Sequence, residues 1–81
     1  MREIQAISVR RTGTRATNWV YHCDVTLRTK LLFRKATEET FKCQRPYGGS
    51  WFRIDTGEYT DEWLDMRMEA AVRAHLALEH Q

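Results

Sequence analysis

Residues 19–27 alternate without a break. One face of Trp19-Val20-Tyr21-His22-Cys23-Asp24-Val25-Thr26-Leu27 presents Trp19, Tyr21, Cys23, Val25 and Leu27. The other presents Val20, His22, Asp24 and Thr26. A period of two over nine residues rich in β-branched and aromatic types predicts a half-buried strand over about 18–27. Ile4, Ile7 and Val9 place another strand at about 3–10. Their spacing breaks strict alternation, so this strand is either covered on both faces at one end or re-phased by a bulge. Thr12-Gly13-Thr14 between the two is a turn signal.

Lys-Leu-Leu-Phe-Arg-Lys at 30–35 reads as a short third strand. At 40–45, Phe41 and Cys43 share a face and indicate a fourth, although Thr37 ahead of Glu38 and Glu39 leaves a capped helical turn at 37–43 as an alternative. Pro46-Tyr47-Gly48-Gly49 breaks the chain. A last strand is expected at 51–56, with Phe52 and Ile54 on one face and Trp51, Arg53 and Asp55 on the other. The spacing then changes. Leu64, Met68, Ala71, Val72, His75 and Leu78 recur at three and four residues and predict a helix over about 61–79. Thr60 is its expected N-cap, Asp61 and Glu62 lie in its acidic first turn, and Glu69 with Arg73 forms an i,i+4 pair.

Strands followed by one helix predict an α+β domain spanning 1–81, an antiparallel sheet of four to five strands covered on one face by a single C-terminal helix. The covered face is expected to carry Trp19, Tyr21, Cys23, Val25, Phe41, Cys43, Phe52 and Ile54. The opposite face, with Val20, His22, Asp24, Trp51 and Arg53, is expected to be at least partly exposed.

Composition narrows the function classes. Of 81 residues, 42% are hydrophobic and 30% charged, the profile of a globular chain and not a disordered tail. The run Leu31-Leu32-Phe33 is far short of the ~20 apolar residues a membrane-spanning helix needs. With no apolar h-region in the first twenty residues, the expectation is a reducing, cytoplasmic setting without membrane association, in which Cys23 and Cys43 are buried free thiols. His22, Cys23, Cys43, His75 and His80 lack zinc-ligand spacing, so neither metal nor cofactor is expected. His22 and Asp24 share a strand face, but no Ser or Cys nucleophile joins them there, and Glu58, Asp61, Glu62 and Asp65 read as a solvated helix start, not a Mg²⁺ site. The expectation is a protein that is not an enzyme.

Charge is divided along the chain. Residues 1–45 hold ten basic groups against four acids, net +6, and residues 46–81 three against seven, net −4. Either the halves attract each other or one meets a charged partner. A hairpin turn at 12–15 would gather Arg10, Arg11 and Arg15, and a returning third strand would add Arg34 and Lys35 at the same edge. Tyr47, Trp51 and Arg53 would supply exposed anchors. Those eight residues form the expected partner-binding surface. The function expected is a protein-interaction module, an inhibitor or adaptor acting on a nucleic-acid-handling complex, by analogy of size and character with small phage and mobile-element proteins that block host complexes. The alternative is direct RNA or DNA binding through the same basic edge and aromatics. The double-stranded-RNA-binding fold is excluded, because the chain has no N-terminal helix and its last helix starts acidic instead of Lys-rich.

Overall fold

The computed structural model describes residues 1–16 and 18–79. Four strands, β1 (Arg2–Thr14), β2 (Asn18–Thr29), β3 (Thr37–Arg45) and β4 (Phe52–Arg53), form one antiparallel sheet in the order β1-β2-β3-β4, and helix α1 (Glu62–Glu79) follows. The α+β fold predicted above is therefore present.

The alternating stretch sets the registers. Val25 lies between Ile7 and Phe41, and Cys23 between Val9 and Cys43, so apolar side chains form rows across three strands. β1 joins these rows because a bulge at Gln5, between the Ile4–Leu27 and Ala6–Thr26 pairs, brings Ile4 and Ile7 to the same face. Gly13 (φ 94°) and Asn18 (φ 67°) tolerate the left-handed backbone at the first hairpin. Residues 37–43 are strand and not a helical turn.

The helix lies over this face. Leu64, Met68 and Val72 recur at i+4 and are buried with Cys23, Val25, Phe41, Cys43 and Trp51. The helix begins one residue later than its sequence suggests. Asp61, not Thr60, is the N-cap: its Oδ1 accepts from the Leu64 N–H at 3.0 Å, and its Oδ2 accepts from Arg2 at 2.6 Å. Thr60 instead donates to Asp65. Leu78, expected on the buried face, is 68% exposed. At 100° per residue it lies about 80° round from Met68, on the flank above the β1 edge. No helix among the described residues is long and apolar enough to cross a membrane.

Two elements differ from expectation. Residues 30–35 are not a strand but part of the loop joining β2 to β3, so the sheet has four strands. Three successive apolar residues can enter a strand only if both of its faces are covered, and the outer face of this sheet carries no layer. The last strand shrinks to Phe52–Arg53, because a turn closes at Gly57, whose N–H donates to the Arg53 carbonyl at 2.8 Å.

The faces of the last strand are also exchanged. Trp51 is 2% exposed and Ile54 is exposed, the reverse of the alternation argument. The turn at 46–49, closed by the Gly49 N–H to the Pro46 carbonyl at 2.9 Å, delivers Trp51 under the helix. A side chain at Gly49 would not fit, since its Cβ would lie 2.8 Å from Pro46 Cγ. Trp51 Nε1 donates to Glu69 Oε1 at 2.7 Å, and the Arg45 Nε lies 2.6 Å from the same oxygen, in ion-pair contact but out of line for a hydrogen bond. Glu69 thus joins β3 and Trp51 to the helix, and its expected pairing with Arg73 does not form.

Trp51→Ala is expected to cost about 3–5 kcal/mol, because it empties the space between helix and sheet. That is a large part of the ~5–15 kcal/mol total for a domain. Arg73→Ala should change stability by less than about 0.5 kcal/mol. Urea unfolding at 25 °C checks both; a Trp51→Ala midpoint equal to wild type would remove Trp51 from the core.

Candidate interaction surface

The eight residues expected to bind a partner are not assembled into one surface. β2 separates the two ends of the sheet by about 40 Å at ~3.3 Å per residue. Arg10, Arg11 and Arg15 lie toward the first hairpin turn, whereas Arg34 and Lys35 lie in the loop at the other end. A basic edge of five cations therefore does not exist. Arg11 turns inward, with its guanidinium 3.9 Å above the Trp19 ring and 3.5 Å from Glu79. Arg53 is held by Asp55 and Glu39 at 2.7 Å each and covers the Phe41 ring at 4.2 Å. Those two carboxylates raise its pKa further, and the hydrogen bond from Arg53 in turn lowers that of Asp55. Trp51 is core. Of the anticipated aromatic anchors, only Tyr47 is exposed.

The loop end exposes a feature that strand alternation does not predict. Between Thr29 and Thr37 the chain leaves the sheet, and Leu32 and Phe33 are 84% and 97% exposed, with Leu31 partly so. Reciprocal backbone bonds between Met1 and Lys30, each 2.8 Å, clamp the root of the loop. Its turn is closed by the Arg34 N–H to the Leu31 carbonyl at 3.3 Å. Phe33 sits at φ 63°. The left-handed region costs a side-chain-bearing residue about 1–2 kcal/mol, so the loop holds its largest apolar side chain outward in a strained backbone. Arg28, Lys30, Arg34 and Lys35 surround this tip. Among the described residues, no carboxylate pairs with any of the four. The signal was present in the sequence: an apolar triplet between cations that fits no strand period.

The remaining chemistry is quiet. His22 Nε2 lies 2.8 Å from Thr12 Oγ1, and its Nδ1 is buried without a partner, so Asp24 does not orient it as in a catalytic dyad. Cys23 and Cys43 face each other across β2 and β3, both fully buried. Desolvation pushes their thiols up to about 12 and about 11. No cluster of His, Cys, Asp and Glu among the described residues is arranged to hold a metal ion; His80 lies outside them. Comparison of the chain with protein-family models, with curated proteins and with solved structures found no match in any of the three.

Two measurements follow. Both thiols should resist a thiol-reactive dye in the native protein at pH 8 and react fully in denaturant, since the thiolate is the reactive form. Rapid native labelling would place them at the surface. Burial, and then Arg10, lower the His22 pKa while Asp24 pulls it up by less. The unfolded chain therefore binds more protons below about pH 6.5, and stability falls as pH drops through that range. His22→Gln should flatten this slope between pH 7.5 and 5 in urea titrations; an unchanged slope assigns it to another group.

Proposed function

We propose that this chain is a non-enzymatic protein-interaction module, a stoichiometric adaptor or inhibitor, and that the loop between β2 and β3 is its anchor. The observation that carries the reading is the apolar tip Leu31-Leu32-Phe33, held in solvent by a strained residue beside Arg28, Lys30, Arg34 and Lys35, which form no ion pair among the described residues. Isolated exposed apolar side chains are ordinary, but a contiguous, charge-rimmed set marks an interaction site. Burying Leu32 and Phe33 would contribute about 1.5–3 kcal/mol each. Arg28, Lys30, Arg34 and Lys35 would steer the tip toward an apolar cleft rimmed by carboxylates. A nucleoprotein complex is the first target to test.

Phe33→Gly should stabilise the isolated protein by up to about 1 kcal/mol, by relieving the left-handed strain, while weakening partner binding. A photo-crosslinking residue at position 33, but not at 47, should capture the partner from nuclease-treated lysate. Leu32→Ser with Phe33→Ser should then weaken binding to that purified partner about 100-fold through faster dissociation. Arg34→Glu with Lys35→Glu should slow association, most strongly at low salt. Binding unaltered by the serine pair overturns the loop as anchor. If Arg10→Glu instead abolishes salt-sensitive binding to a bare oligonucleotide, the nucleic-acid reading replaces this one.

A further inference from the structure

A groove runs beside the first strand. β1 is an edge of the sheet, paired only with β2, and α1 lies over its inner face. Ile4 and Ile7 form one wall, turned to the same side by the bulge at Gln5. Trp63, Ala70 and Ala71 form the other. The small alanines leave a volume of about 530 Å³, open on one side and within the ~300–1,000 Å³ range of binding pockets. Two guanidiniums lie over the Trp63 ring, Arg2 at 4.3 Å and Arg67 at 3.8 Å from its centroid. Arg2 also pairs with Asp61. Arg67 bonds only its own helix's Trp63 carbonyl, and no carboxylate pairs with it among the described residues.

We propose that this groove receives an extended acidic segment of a partner protein, added to the sheet as a strand along β1. The edge offers main-chain donors and acceptors over the length of a 13-residue strand. Every second side chain of an added strand would point toward the groove, whose floor is apolar and whose rim carries Glu3 and the Arg2–Asp61 pair beside the Arg67 guanidinium, which has no carboxylate partner among the described residues. A segment alternating aliphatic and acidic residues meets both demands. The charge on the edge favours such a segment over a second copy of this chain. β1 carries Arg2, Arg10 and Arg11 against Glu3 alone; Arg2 and Arg11 are paired with Asp61 and Glu79, and Arg10 has no carboxylate partner among the described residues, so the edge keeps a net positive charge that an acidic strand complements and a second copy only repeats. The groove opens at the end of the molecule that bears the Leu31–Phe33 loop, since Lys30 bonds Met1, next to Arg2. The inference does not depend on that loop, and each site has its own variant.

The probe is a fluorescein-labelled decapeptide alternating leucine and aspartate, compared by fluorescence anisotropy with one alternating leucine and lysine. The aspartate peptide should bind at least tenfold more tightly than the lysine peptide. Arg67→Glu should weaken it at least tenfold, and Ala70→Trp, which fills the groove from an exposed helix position, should weaken it as much while circular dichroism stays native. Leu32→Ser with Phe33→Ser should leave it unchanged. Amide chemical shifts in the ¹⁵N spectrum should move at Ile4–Val9 and Trp63–Ala71. Equal affinity for the two peptides, or binding unchanged by Ala70→Trp, overturns the proposal. So does a dimer in analytical ultracentrifugation that Ala70→Trp dissociates, which would assign the groove to a second copy.

Discussion

The contact between Trp51 and Glu69 holds the two layers of this fold together. A four-stranded sheet and one helix bury little surface in a chain of this size, so one large side chain between them carries much of the core. Trp51 fills that position and can do so only because its indole N–H meets Glu69. A buried indole donor without an acceptor would cost about 1–3 kcal/mol. Arg45 reaches the same carboxylate and lies 5.2 Å from the Tyr21 ring centroid and 5.7 Å from that of Trp51. One acid on the helix thus positions two strands and the connection leading to β4.

The division of charge along the chain serves the same end. Basic residues of the first half meet acids of the second at Arg2–Asp61, Arg11–Glu79 and Arg45–Glu69, spread along the helix from its N-cap to its last residue. Partly exposed pairs contribute little individually, about 0–1 kcal/mol. The attraction between halves accounts for these cations. The cations without a carboxylate partner among the described residues include Arg28, Lys30, Arg34 and Lys35 around the loop and Arg67 on the groove, together with Arg10, Arg15, Lys42 and Arg73.

Loop and groove depart from the core in a shared way. Each places apolar surface next to a cation that has no carboxylate partner among the described residues, and each is made by a local irregularity, a left-handed phenylalanine in one and a bulge in the other. Bulges and strained backbone persist where the surrounding structure over-determines them. The Met1–Lys30 clamp and the Arg2–Asp61 pair both lie at the end of the sheet that exposes Leu32 and Phe33.

Periodic features were legible from the residues alone. The alternation at 19–27, the Phe41–Cys43 face, the Leu64–Met68–Val72 spacing and the break in β1 phase all follow from which neighbours share a face, a property of a few consecutive residues. Leu31–Phe33, Trp51 and the cation clusters were not legible in this way. An apolar triplet suits a strand covered on both faces as well as an exposed loop, and only the lack of a layer on the outer sheet face excludes the strand. Trp51 precedes a strand of two residues, too short for alternation to assign a face, so the turn at 46–49 and the distant Glu69 assign it. The five cations expected at one edge separate because the lengths of β1 and β2 carry residues 34 and 35 to the far end. Local periodicity is written in consecutive residues, whereas the partner of a side chain depends on strand length and register, which exist only once the chain has paired with itself.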